Sequence, residues 1–432
     1  MAAASARPGM SLSIVIIAGC LMAMISMGVR SSFGLFVDGA PDAIGVTSGD
    51  FGLALGWQNL LWGLIGAYAA SLVDRFGPMW VLIAGALMYG LGMLGMLTLQ
   101  STFWTYMLLG VLTGGGVAAT GFSIIGISFS KLVTPEQRSW ALGLGTAAAS
   151  FGQLAIGLPA GMLLQQMGWA PAMMALAGLT FLIIPLSFAF AGVKGTAAEA
   201  AAASTANTGS GSEVWREVRT AFSNRSYVLL FFGFFVCGFH IAFVYIYLPK
   251  FLIDQGVQPQ WLNGWGGIGA VALALVGLFN IIGAYTSGVL GRHIPKKNGL
   301  AFIYVARSVV MLAFILIPIS PLTTLIFASA MGLLWLSTVP LTQGIIGSMF
   351  GIRYMTTLYA IVFVSHQVGS FSATLLARTI ENLTGELTLM WVAAIIIGLL
   401  AAVVHSPIDE RPIERVGAPQ PAGAEPSRTK SR

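Results

Sequence analysis

Apolar stretches of about 20 residues recur from one end of this chain to the other, the length an α-helix needs to cross a bilayer. The chain has 432 residues, 56% of them hydrophobic and 8% charged, against roughly 25% charged in an ordinary soluble domain. Such a composition cannot cover a water-soluble surface. The chain therefore reads as an all-α, multi-pass membrane protein. The first run is too long and uninterrupted for a cleaved signal peptide, and no small-residue cleavage site follows it.

Twelve spans can be laid out, at about 11–37, 50–73, 78–99, 103–130, 139–165, 171–192, 226–249, 262–290, 299–319, 322–349, 356–379 and 388–405. With the N-terminus in the cytoplasm, the connectors alternate in charge. The cytoplasmic side receives Arg75, Lys131, Arg138, Lys194, Arg216, Arg219, Arg225, Arg292, Lys296, Lys297 and Arg353. The other side receives Lys250, Arg378 near a span end, and the acids Asp38, Asp42, Asp50, Asp254, Glu381 and Glu386. Basic residues cluster on the cytoplasmic side of membrane proteins, so both termini are expected there. The formal charge of +6 is spread through these connectors and does not point to nucleic acid.

Four segments follow. Residues 1–192 form six spans, 193–225 a cytoplasmic linker, 226–405 six more spans, and 406–432 a tail. The linker stretch "KGTAAEAAAASTANTGSGSE" is small, polar and low in complexity. "VWREVRTAF" after it suits a short amphipathic helix at the cytoplasmic interface. The tail, "SPIDERPIERVGAPQPAGAEPSRTKSR", is Pro-rich and polar and is expected to be disordered. The halves also repeat: "GAYAASLVDRFG" (66–77) aligns without gaps on "GAYTSGVLGRHI" (283–294), and the same offset places Cys20 on Cys237. Internal repeats in membrane proteins point to two bundles rocking about a site between them.

At this point the chain resembles the major facilitator superfamily of transporters, whose loop signature between spans 2 and 3 is roughly Gly-x-Leu-Ala-Asp-Arg-x-Gly-Arg-Arg. Here "ASLVDRFGPM" keeps Leu72, Asp74, Arg75 and Gly77, and "GVLGR" in the second half keeps Gly288, Leu290 and Arg292. The resemblance implies two six-helix bundles, with Asp74, Arg75 and Arg292 helping to lock the cytoplasmic side. Within the superfamily the chain resembles the monocarboxylate and oxalate/formate branch. The carriers' span-1 basic residue matches Arg30 in "VRSSFGLF", and "HIAFVYIYLPKFL" and "FVSHQVGSF" are similar to bacterial members. The Asp and Arg that those carriers place in span 8 align with Asn280 and Ala284. The oxalate carrier's span-11 lysine lies near His366.

A charge at the bilayer centre costs about 2.5–3.5 kcal/mol on insertion scales, so intramembrane charges are functional candidates. Arg30 and Arg307 are clear cases, and no Asp or Glu lies well inside a span. Arginine keeps its proton, so an anionic substrate is the simplest partner for this cationic interior. Arg30 lies roughly 9 Å from the outer end of span 1 at helical rise. It is expected to bind a substrate carboxylate; the bland readings are snorkelling to headgroups or pairing with Asp38 or Asp50. Ser26, Met27, Phe33 and Gly34 share its helix face. Arg307 is either a second anion contact or a structural residue that snorkels or bonds carbonyls of span 8.

Histidine titrates near neutral pH, so His240 and His366 are the proton-coupling candidates. Tyr247, which shares a helix face with His240, His366, and Gln367, which follows His366, are expected to contact the substrate. Gln58, Trp62, Gln153, Asn280, Trp335, Thr338 and Thr342 are polar or aromatic candidates for the lining, or helix glue. Pro340 is expected to break span 10.

With no P-loop, ATP is not the expected drive. No cofactor, metal site or enzyme activity is expected. The sequence is expected to encode a monomeric secondary transporter of a small organic anion, monocarboxylate-like and proton-coupled, in the inner (plasma) membrane. The alternatives are an anion exchanger without proton coupling, an efflux pump for amphipathic compounds, and a non-transporting sensor or scaffold.

Overall fold

A computed structural model of the chain describes residues 11–133, 137–193 and 211–413. The linker stretch 194–210, the tail 414–432 and the side chains of Asp74, Lys131, Arg138 and Arg353 lie outside the described residues. Among the described residues every regular element is helical. Eleven helices are long and apolar enough to cross a membrane, and each falls on an expected span. The remaining span, the second, is the 29-residue helix Ser48–Phe76. Its length suffices, but Trp57, Gln58, Asn59 and Trp62 lower its apolarity. Gln58 and Asn59 are each 1% exposed, so these two polar side chains face protein rather than lipid.

Three prolines and glycines shape the spans. Span 7, Arg225–Asp254, runs through Pro249 rather than ending there. Pro249 has no N–H to give the carbonyl four residues back, which belongs to Tyr245. Gly34 of span 1 sits against that same carbonyl, where a Cβ would collide. Span 10 is interrupted: helix Pro321–Leu334 stops, and helix Thr338–Phe350 begins after three intervening residues. Pro340, in the second piece, cannot donate to the Leu336 carbonyl, and its ring crowds it. The break therefore falls just upstream of the proline.

The expected amphipathic helix is present as Gly211–Ser223, with Ala221 buried and Trp215 74% exposed. Asn224 then caps span 7, accepting from the amides of Ser226 at 2.9 Å and Tyr227 at 3.3 Å. Beyond span 12, residues 406–413 pack back onto the protein instead of starting a free tail. Ile408 is fully buried. The Asp409 amide donates to Ser226 Oγ at 2.9 Å, and that of Ile413 to the Met349 carbonyl at 3.1 Å. The two isoleucines in "SPIDERPI" supply the apolar contact that the Pro-rich composition obscured.

The first six spans meet the last six mainly through spans 2 and 11, spans 5 and 8, and spans 1 and 7. These contacts lie toward the end that carries Asp50, Lys250 and Glu381. At the opposite end, which carries Arg75 and Arg292, the helices Phe122–Leu132 and Thr338–Phe350 find their main partners within their own halves. The molecule is thus shut at the Asp50 end and splayed at the Arg75 end.

Candidate functional site

Arg30 occupies the last turn of helix Leu12–Ser32, where the helix dipole favours a cation. It is 9% exposed. Nη2 donates to the Asn59 side-chain oxygen of span 2. The guanidinium lies over the Trp62 ring at 4.6 Å and near the Tyr245 ring at 5.2 Å. Such contacts hold a cation without neutralising it. The Tyr245 hydroxyl donates to the Arg30 carbonyl, fixing span 7 of one half to span 1 of the other. Nε is buried without a hydrogen-bond partner. Among the described residues Arg30 makes no ion pair, and Asp50 is already held by Arg378. Neither snorkelling nor the Asp50 pair fits this geometry.

Trp62 joins Arg30 to span 11. Its ring meets Phe363 edge-on at 5.3 Å, and Phe363 stacks on His366 at 5.4 Å. One residue further along span 2, Gly63 faces the Gln367 side chain. The Gln367 oxygen lies 3.2 Å from His366 Nδ1, while its Nε2 is buried and unpartnered. Two unsatisfied buried donors, one on each half, flank a single tryptophan. An unpaired buried donor costs about 1–3 kcal/mol, and a ligand acceptor would recover it.

The other sequence candidates are placed elsewhere. Gln58 turns from Arg30 and donates to the Leu109 carbonyl of span 4 at 3.4 Å. Tyr247 packs over Gly52 toward the shut end, its hydroxyl 3.5 Å from the Thr374 carbonyl. His240 faces span 12, with Nε2 2.8 Å from the Ala394 carbonyl, inside the second half and away from the seam.

Arg307, Asn280 and Trp335 meet at the break in span 10. Arg307 Nε donates to the Leu334 carbonyl at 3.1 Å and Nη2 to the same carbonyl at 2.6 Å; Nη2 also donates to the Trp335 carbonyl. These are carbonyls of span 10, not span 8, because span 10 is the helix whose interruption frees them. Asn280 accepts from the Leu336 amide at 3.0 Å and donates to Ser150 of span 5 at 3.2 Å. Backbone groups within a bilayer must be satisfied by protein, and these side chains meet that need.

The shut end is fastened by charge. Arg378 of span 11 pairs with Asp50 at the start of span 2, Nε to Oδ1 2.7 Å. Asp50 also accepts from the Tyr106 hydroxyl at 2.7 Å. Ser48 donates to Glu381 at 2.8 Å, and Lys250 lies 3.5 Å from the same carboxylate. A cavity of about 430 Å³, lined in part by Asp38, Gln165 and Asn263, remains at this end. At the splayed end, Arg75 and Arg292 are exposed.

Sequence reasoning missed Asn59, Tyr245 and the Asp50–Arg378 pair. Asn59 stood beside Gln58 in the same polar stretch, but one residue turns a helix by about 100°, and only Asn59 points at Arg30. Tyr245 and Tyr247 are two apart and face different neighbours. Opposite charges at neighbouring ends of spans 2 and 11 were the available signal for the pair.

Residues 19–374 match the sequence profile of the Major Facilitator Superfamily. An uncharacterized MFS-type transporter of Bacillus subtilis (strain 168), YcxA, is 27% identical over 181 residues; the match spans 40% of this chain and 42% of that protein. Three solved structures share the fold. The nucleoside transporter NupG aligns with TM-score 0.74 at 9% identity over 91% of this chain and 99% of its own. A bacterial homolog of the human lysosomal transporter Spinster, in an inward-facing conformation, gives 0.71 at 13% over 91% and 96%. The inward-open xylose transporter XylE from E. coli gives 0.64 at 12% over 92% and 95%.

Proposed function

Since the chain belongs to the major facilitator superfamily, we propose that it is a proton-coupled secondary transporter of a small organic anion carrying a carboxylate. One observation carries this reading: Arg30 is buried at the seam between the halves, faces no acid among the described residues, and keeps Nε unpaired. A carboxylate is the ligand that a guanidinium fork fits best.

The halves 1–192 and 226–405 rock about this seam, alternating between the observed state and one opened at the Asp50 end. The Arg75 end, where the described residues begin at 11 and end at 413, is the cytoplasmic one in this reading, and the membrane is the inner (plasma) membrane. Breaking Asp50–Arg378 and Ser48–Glu381 admits substrate from outside; re-forming them commits it to release inside. His366 is the proton carrier: it is the histidine at the seam, within two side chains of Arg30. His240, bonded to a carbonyl inside one half, is a scaffold residue. Monocarboxylates fit a site with one unpaired cation among the described residues.

The test is uptake of labelled carboxylates into proteoliposomes, with Arg30→Ala alongside. The account expects uptake that falls as external pH rises and is lost in the variant. Equal uptake by both proteins contradicts it. Flux that is indifferent to pH but requires an anion on the opposite side identifies exchange instead.

A further inference from the structure

The approach to Arg30 from the splayed end is walled by rings. On span 11, helix Ile352–Thr384, Tyr359, Phe363 and His366 follow at spacings of four and three, so they form a ladder on one helix face. Tyr359 and Phe363 centroids are 6.4 Å apart, and Phe363 and His366 are 5.4 Å apart with only 16° between their planes. Phe234 of span 7 backs the ladder, 5.9 Å from Tyr359 and 5.2 Å from His366. Across the seam Trp62 presents its ring to both Arg30 and Phe363.

These rings are not sealed into a core. Trp62, Tyr359 and Phe363 are each partly exposed, and Gly66, one turn beyond Trp62 toward the splayed end, has open space where a Cβ would stand. The polar groups sit at the far end of the track: Arg30, Asn59 and Gln367. A short hydroxylated acid would find its carboxylate partner here but few partners for its hydroxyls. A flat ring would find both its charge and its faces matched. Aromatic surfaces prefer offset-stacked or edge-on partners, and the ladder offers both.

Resting on the anion reading above, we propose that the site's preferred cargo is a planar aromatic carboxylate, its carboxylate on Arg30 and its ring laid against the exposed side of the Trp62–Phe363 pair and Tyr359, where Gly66 leaves space. Phe363 is then a specificity residue that contacts the cargo ring.

The experiment compares benzoate with cyclohexanecarboxylate, which has the same carbon count but a puckered, saturated ring. Apparent affinities are read from the ligand-dependent rise in Tm of the purified full-length protein. Benzoate is expected to bind at least about fivefold more tightly, the size of one ring–ring contact. Phe363→Leu should bring the ratio close to one, and Phe363→Tyr, which keeps the ring face, should preserve it. A wild-type ratio near one, or a preference untouched by Phe363→Leu, overturns the aromatic assignment while leaving the anion reading intact. If neither carboxylate shifts Tm, or benzyl alcohol shifts it as much as benzoate does, the anion reading itself fails and this assignment falls with it.

Discussion

Arg30 and Arg307 sit in opposite halves, 9% and 1% exposed, and neither makes an ion pair among the described residues. Their surroundings differ in kind. Arg307 gives three hydrogen bonds to two backbone carbonyls freed by the interruption of span 10; Nη1 lies 3.6 Å from Cys237 Sγ. Arg30 gives one side-chain hydrogen bond, lies between two aromatic rings, and leaves Nε unpaired. The first charge completes a helix that could not otherwise be buried in a membrane. The second is held in place with one donor unused. Burial of a charge inside a span is thus not enough to mark a transport site; what separates the two cases is whether the donors are already used by the backbone.

The largest expected effect tests the structural side of that contrast. Arg307→Met leaves two buried carbonyls without donors, at about 1–3 kcal/mol each. Its yield of folded protein and its Tm should fall sharply. A variant as stable as wild type would make Arg307 as dispensable to the fold as Arg30, and the comparison would break. Arg30→Ala, by contrast, removes one hydrogen bond and a desolvated charge, so its Tm should stay close to the wild-type value.

An intermediate effect is expected at the shut end. Arg378→Gln removes an ion pair whose arginine side chain is 35% exposed, so the loss is about 1 kcal/mol at most. Roughly a fivefold shift toward the state open at the Asp50 end should follow. Spin labels at Asp42 and Glu386, both exposed at that end, should then report longer distances. An unchanged distribution would remove the pair from the gate.

The smallest effect concerns coupling. His366→Gln should flatten the pH dependence of uptake while leaving a pH-independent flux. His240→Asn, within one half, should leave the pH profile near that of wild type. The reverse pattern would move the proton site from the seam to the interior of the second half.

Much of the fold could be read from the chain, because a bilayer imposes one length on every span. The polar "GWQNLLWG" stretch of the second span and the amphipathic "VWREVRTAF" were also visible in composition and pattern. Arg30 was legible for the same reason: a lone charge in an apolar run has few explanations. Its partners were not. Asn59 and Gln58 are adjacent and chemically alike, and only helix phase decides that one meets Arg30 and the other the Leu109 carbonyl. Arg307 looked equivalent to Arg30 because sequence does not reveal where span 10 unwinds, and Pro340 marked the region but not the residues whose carbonyls are freed. Residues 406–413 illustrate the opposite error. A Pro-rich, charged composition concealed two isoleucines that anchor the segment.

The central claim is that Arg30 is a free cation waiting for a carboxylate. The most direct measurement is equilibrium binding of a labelled carboxylate to purified wild-type protein and to Arg30→Ala, at matched folded fraction. The account predicts saturable binding to the wild type, weakened by about 10- to 100-fold in the variant, the range of one charge-assisted hydrogen bond. Binding of equal strength in both proteins would contradict it.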